Sequence, residues 1–459
     1  MPRRRTPLLA LAATAMALCA AAPAHASPSQ YTIFEAPTEM ASADDALRQQ
    51  TFDEIQSLGA RHIRVLLYWN SVVRSANAKA KPASLDETDP NSAGYDFSRY
   101  DRVLAEAQAR GLEVLVTITG PVPRWATGHK RGHTYKPSRT RFARFVEAVG
   151  KRYGAQIDGW SIWNEPNHPQ FLTPQFVKGK AYSPKLYRAL YQGALQGLAA
   201  SGNGGDRVLA GETAPRGTPR VVPPVTFART FFAGKRLKVS GYAHHPYTTK
   251  AGPFFVPPDR TDVTIGVLSR LTKTLDRYSH HRKLGLYLTE FGIQSKPDPY
   301  VGVSEIQQAE YRSIAERIAY RNPRVRAFSQ YLMRDDQPRK GSKAVRYSGF
   351  ESGLRHSNGK EKLSYKGFRL PLVADRTSSR QVTLWGLVRP TTASTTVALQ
   401  YRGSGRGAKW RDLATRSTDA RGYFFLRTGY TAGRAYRVRW TAADGTTYSG
   451  PRTRAYRAP

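Results

Sequence analysis

Two glutamates in this sequence stand where a strand stops. Residues Ile157-Asp158-Gly159-Trp160-Ser161-Ile162-Trp163 read as a strand running into Asn164-Glu165-Pro166-Asn167. Pro166 ends the ladder because proline has no N–H to donate. Leu284-Gly285-Leu286-Tyr287-Leu288-Thr289 reads as a second strand, closing in Glu290-Phe291-Gly292. A pair of carboxylates can divide acid and base work when their surroundings push their pKa values apart. A solvated glutamate at a strand end is the ordinary alternative. Against it, two of the seven tryptophans lie within five residues of Glu165.

The elements that would position this pair follow a regular pattern. Six further apolar runs read as strands, at 31–34, 62–68, 112–119, 207–211, 238–243 and 325–331. Between them lie segments of helical spacing, such as Tyr100, Val103, Leu104 and Ala107, or Phe142, Phe145, Val146 and Val149. Gly59 and Gly111 end two of these helices, and Ser304 with Gln307 forms a capping box for another. Strands alternating with helices at this spacing imply parallel β/α units. Eight such units predict a (β/α)8 TIM barrel over residues 27–370, with an open doubly wound sheet as the alternative. Glu165 then ends the fourth strand and Glu290 the seventh, at the C-terminal face where catalytic groups of barrels collect. Residues 71–95, polar and rich in Pro, Asp and Ser, are expected as a long loop shaping a cleft on that face. Glu212 ends the fifth strand and Asp335-Asp336 follow the eighth; each reads as a solvated loop carboxylate, with a substrate contact as the alternative.

Past residue 370 the pattern changes to short strands, with Asp444-Gly445 as a hairpin turn. Residues 376–459 are expected to form a small β-sandwich of immunoglobulin or fibronectin type.

The wording Trp-Asn-Glu-Pro-Asn at one strand end and Thr-Glu-Phe-Gly at another resembles the retaining glycoside hydrolases built on (β/α)8 barrels. It is most similar to family 39, the β-xylosidase/α-iduronidase-like branch, and its endo-acting relatives. The likeness spans about residues 31–370. It implies Glu165 as acid/base and Glu290 as nucleophile of a double displacement. By the same resemblance Asn164 binds the sugar 2-hydroxyl, and Arg64, His245 and Tyr247 surround Glu290. Strict strand alternation would point Asn164 away from Glu165, so the strand has to splay at its end. Trp69, Trp125 and Trp163 follow or end strands and are candidates to stack on sugar faces or to pack in the core. The family often places a tryptophan at the end of strand eight, whereas this chain has Gln330-Tyr331-Leu332. Adjacent histidines in a strand, His244 and His245, point opposite ways, so neither a metal site nor any other cofactor is expected.

Composition bounds the partners. Residues 1–26 have the layout of a secretory signal: Arg3, Arg4 and Arg5, an apolar centre, then Ala24-His25-Ala26. The apolar run is too short for a membrane span. Leu18 before Cys19 is not the small residue a lipobox requires, and Cys19 is the single cysteine. A secreted or cell-wall-associated protein without a thiol nucleophile is expected, its export route left open by the paired arginines. The net charge of +37 would attract polyanions. Residues 376–459 alone hold sixteen Lys or Arg against three Asp. An acidic glycan or cell wall is the expected partner of that basic segment, and no nucleic-acid motif stands out. The expected activity is hydrolysis of a β-linked oligo- or polysaccharide. The alternative is a non-catalytic glycan- or wall-binding protein that keeps the barrel.

Overall fold

The computed structural model describes residues 27 and 29–457. The expected secretory signal at 1–26 lies outside these residues. Eight parallel strands close into a barrel: β1 (Tyr31–Glu35), β2 (His62–Tyr68), β3 (Glu113–Thr119), β4 (Gly159–Ile162), β5 (Val208–Thr213), β6 (Gly241–His244), β7 (Leu286–Leu288) and β8 (Val325–Tyr331). β1 closes the ring by pairing with both β2 and β8. The open-sheet alternative is thereby excluded.

Each strand is followed by a helix: α1 (Asp45–Ser57), α2 (Ser98–Ala109), α3 (Arg139–Tyr153), α4 (Ser183–Ala200), α5 (Pro224–Phe232), α6 (Leu268–Tyr278), α7 (Glu305–Arg321) and α8 (Leu363–Arg369). Their starts are chemically marked. Asp44 accepts from Leu47 N, Ser138 from Arg141 N, and Ser304 with Gln307 makes the full capping box.

Strand alternation sorts the barrel into two environments. Outward residues such as Phe34, Val65, Val116, Trp160, Ala210 and Leu288 pack under the helices as the main core. Full burial of each large apolar side chain contributes about 1.5–3 kcal/mol. Inward residues form an apolar plug at the base from Ile33, Leu115, Leu209, Ala243, Tyr287 and Ala327. Two residues further along their strands the inward positions turn polar: Glu35, Thr117 and Thr289 are buried above the plug. The barrel interior is therefore apolar below and charged at the mouth.

The second domain is a β-sandwich. One sheet holds β9 (Leu372–Arg376), β10 (Gln381–Leu387) and β13 (Tyr423–Gly429). The other holds β11 (Thr396–Arg402), β12 (Arg411–Ser417), β14 (Ala435–Thr441) and β15 (Thr447–Ser449), with Thr453–Arg454 paired to β14. Its first strand starts at Leu372, ahead of the expected boundary at 376. Leu384, Val397, Leu399, Phe424, Val438 and Trp440 fill the space between the sheets.

The three-stranded sheet is buried on its other face as well. Val373, Trp385, Leu387 and Tyr423 pack on Ile314 and Tyr320 of α7. Arg389, just past β10, pairs with Glu316 of α7 and donates to Phe368 O at 2.8 Å and Thr32 Oγ1 at 3.0 Å. An apolar face and a buried ion pair thus join the sandwich to the barrel. Among the described residues, no helix is long and apolar enough to cross a membrane.

Candidate active site

The β4 exit decides where Glu165 points. The ladder stops at Ile162, and Trp163 and Glu165 both take left-handed backbone angles, φ 68° and 39°. Each such non-glycine residue costs about 1–3 kcal/mol and persists only where its surroundings over-determine it. Here they do. The Trp163 indole packs edge-on to Phe142 at 5.2 Å, donates to Phe171 O at 3.2 Å, and fills space that any side chain at Gly120 would occupy. Asn164 N donates to Thr119 Oγ1 and Glu165 N to the carbonyl of Glu212. This double turn lets adjacent Asn164 and Glu165 both line one cleft of about 870 Å³, which a regular strand would forbid.

Glu290 follows β7 into the same cleft. Carboxylate oxygens of Glu165 and Glu290, with a ring nitrogen of His245, all lie within 4.8 Å of one another. Tyr247 Oη donates to Glu290 Oε1 at 2.8 Å. Arg64, fully buried on β2, donates from Nη1 to Glu290 Oε2 at 3.0 Å and to Glu35 Oε2 at 2.7 Å. Its Nη2 reaches Asn164 Oδ1 at 2.6 Å and Glu212 Oε2 at 3.2 Å, and its Nε reaches Thr117 Oγ1 at 3.1 Å. Five contacts match the five N–H groups of a guanidinium, which is the reason for arginine here.

His245 sits between carboxylates, with Nδ1 3.0 Å from Glu165 Oε1 and Nε2 2.7 Å from Glu212 Oε2. Burial opposes its charge, but Glu290, Glu165 and Glu212 together lift the imidazole to about 10. Glu165, His245 and Glu290 thus bring three ligand-type atoms together at the mouth. His244 faces the other way, bonded to Thr213 Oγ1 and Val263 O, and burial pulls it down to about 3.

Two further carboxylates stand at the mouth, one of them missed by sequence reasoning. Glu35 ends β1, one residue beyond the expected strand, and burial raises it to about 7 against the pull of Arg64. Its position two residues after inward-facing Ile33 is the signal that marks it. Glu212 is not the solvated loop carboxylate expected. It is fully buried, and Arg64 and His245 hold it down to about 2 despite that burial.

The three candidate tryptophans do not reach the cleft. Trp69 is fully buried, stacked on Phe145 at 5.0 Å and edge-on to Trp125 at 6.0 Å. Trp125 lies under Arg141, and Trp163 anchors the β4 turn. All three belong to the core, because the short elements after these strands fold them back under the helices. The cleft instead has a tyrosine and phenylalanine wall: Tyr331 at the end of β8 meets Phe350 at 5.2 Å, and Tyr247 meets Phe350 at 5.9 Å. Residues 71–95 do not line the cleft either. Glu87 in that loop pairs with Arg141 and Arg144 of α3, which holds it against the barrel's flank. The segments after β4 to β8 form the walls.

Comparison with known proteins bears on the fold that carries this site. Residues 25–179 match the family model described as cellulase, glycosyl hydrolase family 5. No curated protein matches the chain in sequence. Among solved structures it is similar to the family 39 enzyme from Xanthomonas axonopodis pv. citri, with TM-score 0.55, 16% identity, and 94% of this chain and 96% of that one covered. It is also similar to a monomeric β-xylosidase from Caulobacter crescentus CB15, with TM-score 0.53, 16% identity and 94% and 98% covered. A family 39 glycoside hydrolase from Bacteroides cellulosilyticus WH2 gives TM-score 0.53 at 17% identity, with 88% and 80% covered. At these identities the likeness is one of fold. With the family match over residues 25–179, it supports a glycoside hydrolase built on a (β/α)8 barrel.

Proposed function

We propose that this protein is a secreted retaining glycoside hydrolase that cuts O-glycosidic bonds of a β-linked oligo- or polysaccharide. The observation that carries the reading is the approach of Glu165 and Glu290 oxygens to within 4.8 Å at the barrel mouth. A retaining pair needs carboxyl groups about 5–5.5 Å apart, and an inverting pair leaves room for water at about 6.5–9.5 Å.

In this mechanism Glu165 gives its proton to the glycosidic oxygen as the bond from that oxygen to the anomeric carbon breaks. A carboxylate oxygen of Glu290 bonds to the same carbon, giving a glycosyl ester. Water then attacks that carbon, Glu165 takes back a proton, and Glu290 leaves as carboxylate. Arg64 and Tyr247 stabilise the anionic form of Glu290 by donating to both its oxygens. Asn164, fixed by Arg64, is set to meet the sugar hydroxyl beside the reacting carbon. Tyr247, Tyr331 and Phe350 supply the apolar wall on which a sugar face packs.

A screen of chromogenic glycosides and polysaccharides tests the reading. Turnover of at least one glycoside supports it, and binding without turnover would favour the glycan-binding alternative.

The basic sandwich supports a second contact, to acidic glycan or cell wall. Trp410, just before β12, lies under two guanidinium groups, Arg402 at 5.1 Å and Arg437 at 4.4 Å. Paired arginines on an aromatic present a planar, positive surface suited to carboxylate or sulfate groups along a polysaccharide.

A further inference from the structure

Glu212 takes no part in the displacement, yet it has more partners than any other carboxylate at the mouth. It is fully buried and accepts from Arg64, His245, Thr289 Oγ1 and Thr117 Oγ1. The backbone is bent to bring it there. Gly211 at φ 108° and Glu212 at φ 49° break the β5 register between Ala210 and Thr213, turning the side chain into the barrel.

Three carboxylates face the His245 ring: Glu212 Oε2 at 2.7 Å, Glu165 Oε1 at 3.0 Å and Glu290 Oε2 at 3.6 Å. In the proposed reaction two of them change charge. Glu165 is neutral while it carries the proton and anionic after giving it up. Glu290 is anionic before attack and an ester afterwards. Glu212, out of reach of the substrate, keeps its charge throughout.

We propose that Glu212 is a positioning residue, a constant counter-ion that keeps His245 an imidazolium and so confines the catalytic proton to Oε2 of Glu165. The inference rests on the hydrolase reading above. With both ring nitrogens protonated, Nε2–H is donated to Glu212 and Nδ1–H to Glu165 Oε1. That oxygen is thereby occupied, and the acid proton is left on the oxygen free to meet the leaving group. A neutral ring that donated Nε2–H to an uncharged residue 212 would leave Nδ1 as an acceptor. The proton of Glu165 would then be held by the ring rather than offered to the glycosidic oxygen. Of the other ionisable groups around the ring, Arg64 repels the charge, Glu35 attracts it from further off, and His244 is neutral and faces the other way.

Nitrogen NMR of histidine-labelled protein, joined to kinetics of Glu212→Gln and Glu212→Asp, tests this. The wild-type His245 ring should be doubly protonated throughout neutral pH, and Glu212→Asp should retain that state. In Glu212→Gln the ring should titrate at a lower pH than in the wild type, because one of its three carboxylates is gone. Glu212→Gln should also lose about 10²-fold or more on glycosides with poor leaving groups and less than about 10-fold on dinitrophenyl glycosides. Equal loss on both substrates in a folded Glu212→Gln, or a neutral wild-type ring in an active enzyme, would overturn the proposal. The wild-type titration needs neither variant nor substrate. A doubly protonated ring in a chain that cleaves no glycoside would support the Glu212–His245 pair and overturn the hydrolase reading.

Discussion

Arg64 holds Glu290 at 3.0 Å through Nη1, the same nitrogen it offers to Glu35 at 2.7 Å. The other three N–H groups fix Asn164, Glu212 and Thr117, so one side chain sets both the nucleophile candidate and the residue that would meet the sugar. Lysine keeps the charge but has three donors on a tetrahedral head. Arg64→Lys should therefore lower kcat by about 10²-fold. It should also cost about 1–3 kcal/mol of stability, because at least one buried acceptor loses its partner. Steady-state kinetics and urea melts check the two parts, and a wild-type kcat would show that the guanidinium is dispensable.

Glu290→Ala should abolish turnover of every glycoside that the wild type cleaves, because the carboxylate that forms the glycosyl ester is gone. Glu165→Ala should lose about 10²–10⁴-fold on poor leaving groups and far less on activated aryl glycosides, which need little protonation. Matched rates of both variants and wild type on an oligosaccharide would place the chemistry elsewhere.

Glu35 gives stability a pH dependence of defined sign. Burial raises it from 4.5 to about 7, so the unfolded chain releases this proton before the folded one does. Its contribution is complete below about pH 4.5 and is lost as pH rises through 7. Glu351, also raised to about 7 by burial and by Asp298 and Asp335, acts in the same direction. Glu212 works the opposite way, its contribution disappearing only as pH falls towards 2. Glu35→Gln keeps an acceptor for Arg64 and removes the titration. Its Tm should decline less than that of wild type between pH 4.5 and 7. Parallel declines in a series of thermal melts would remove Glu35 from this role.

How much of this was legible follows the kind of signal each residue leaves. Glu165 and Glu290 stand out because an apolar run followed by a carboxylate and a proline or glycine has few readings in an eight-strand pattern. Arg64, His245 and Tyr247 were marked by resemblance alone, and the structure brings them into contact around that pair. The left-handed turns at Trp163 and Glu165 leave no trace in residue type, since neither is glycine or asparagine. They are nevertheless what sets Asn164 beside Glu165. The tryptophans misled for a related reason: an indole at a strand end serves a cleft or a core equally well, and only packing against Phe145 and Phe142 decides. Glu212 was hidden by the bulge that turns it inward, and Glu35 by a strand end placed one residue short.

Core and cleft aromatics should separate cleanly in variants. Trp69→Ala should cost about 3–5 kcal/mol of stability and leave KM near its wild-type value, because the indole touches only core. Tyr331→Ala should do the reverse, raising KM with a small change in melting. A raised KM in a stable Trp69→Ala would return that indole to the substrate.

The separation of the two glutamates is tested most directly by the anomeric configuration of the first product. Proton NMR can follow it on any glycoside the enzyme cleaves, before the free sugar mutarotates. With Glu165 and Glu290 oxygens within 4.8 Å, no water fits between nucleophile and sugar, and the product should first appear with the configuration of the substrate. First appearance of the inverted anomer would contradict the double displacement and the role given to Glu290.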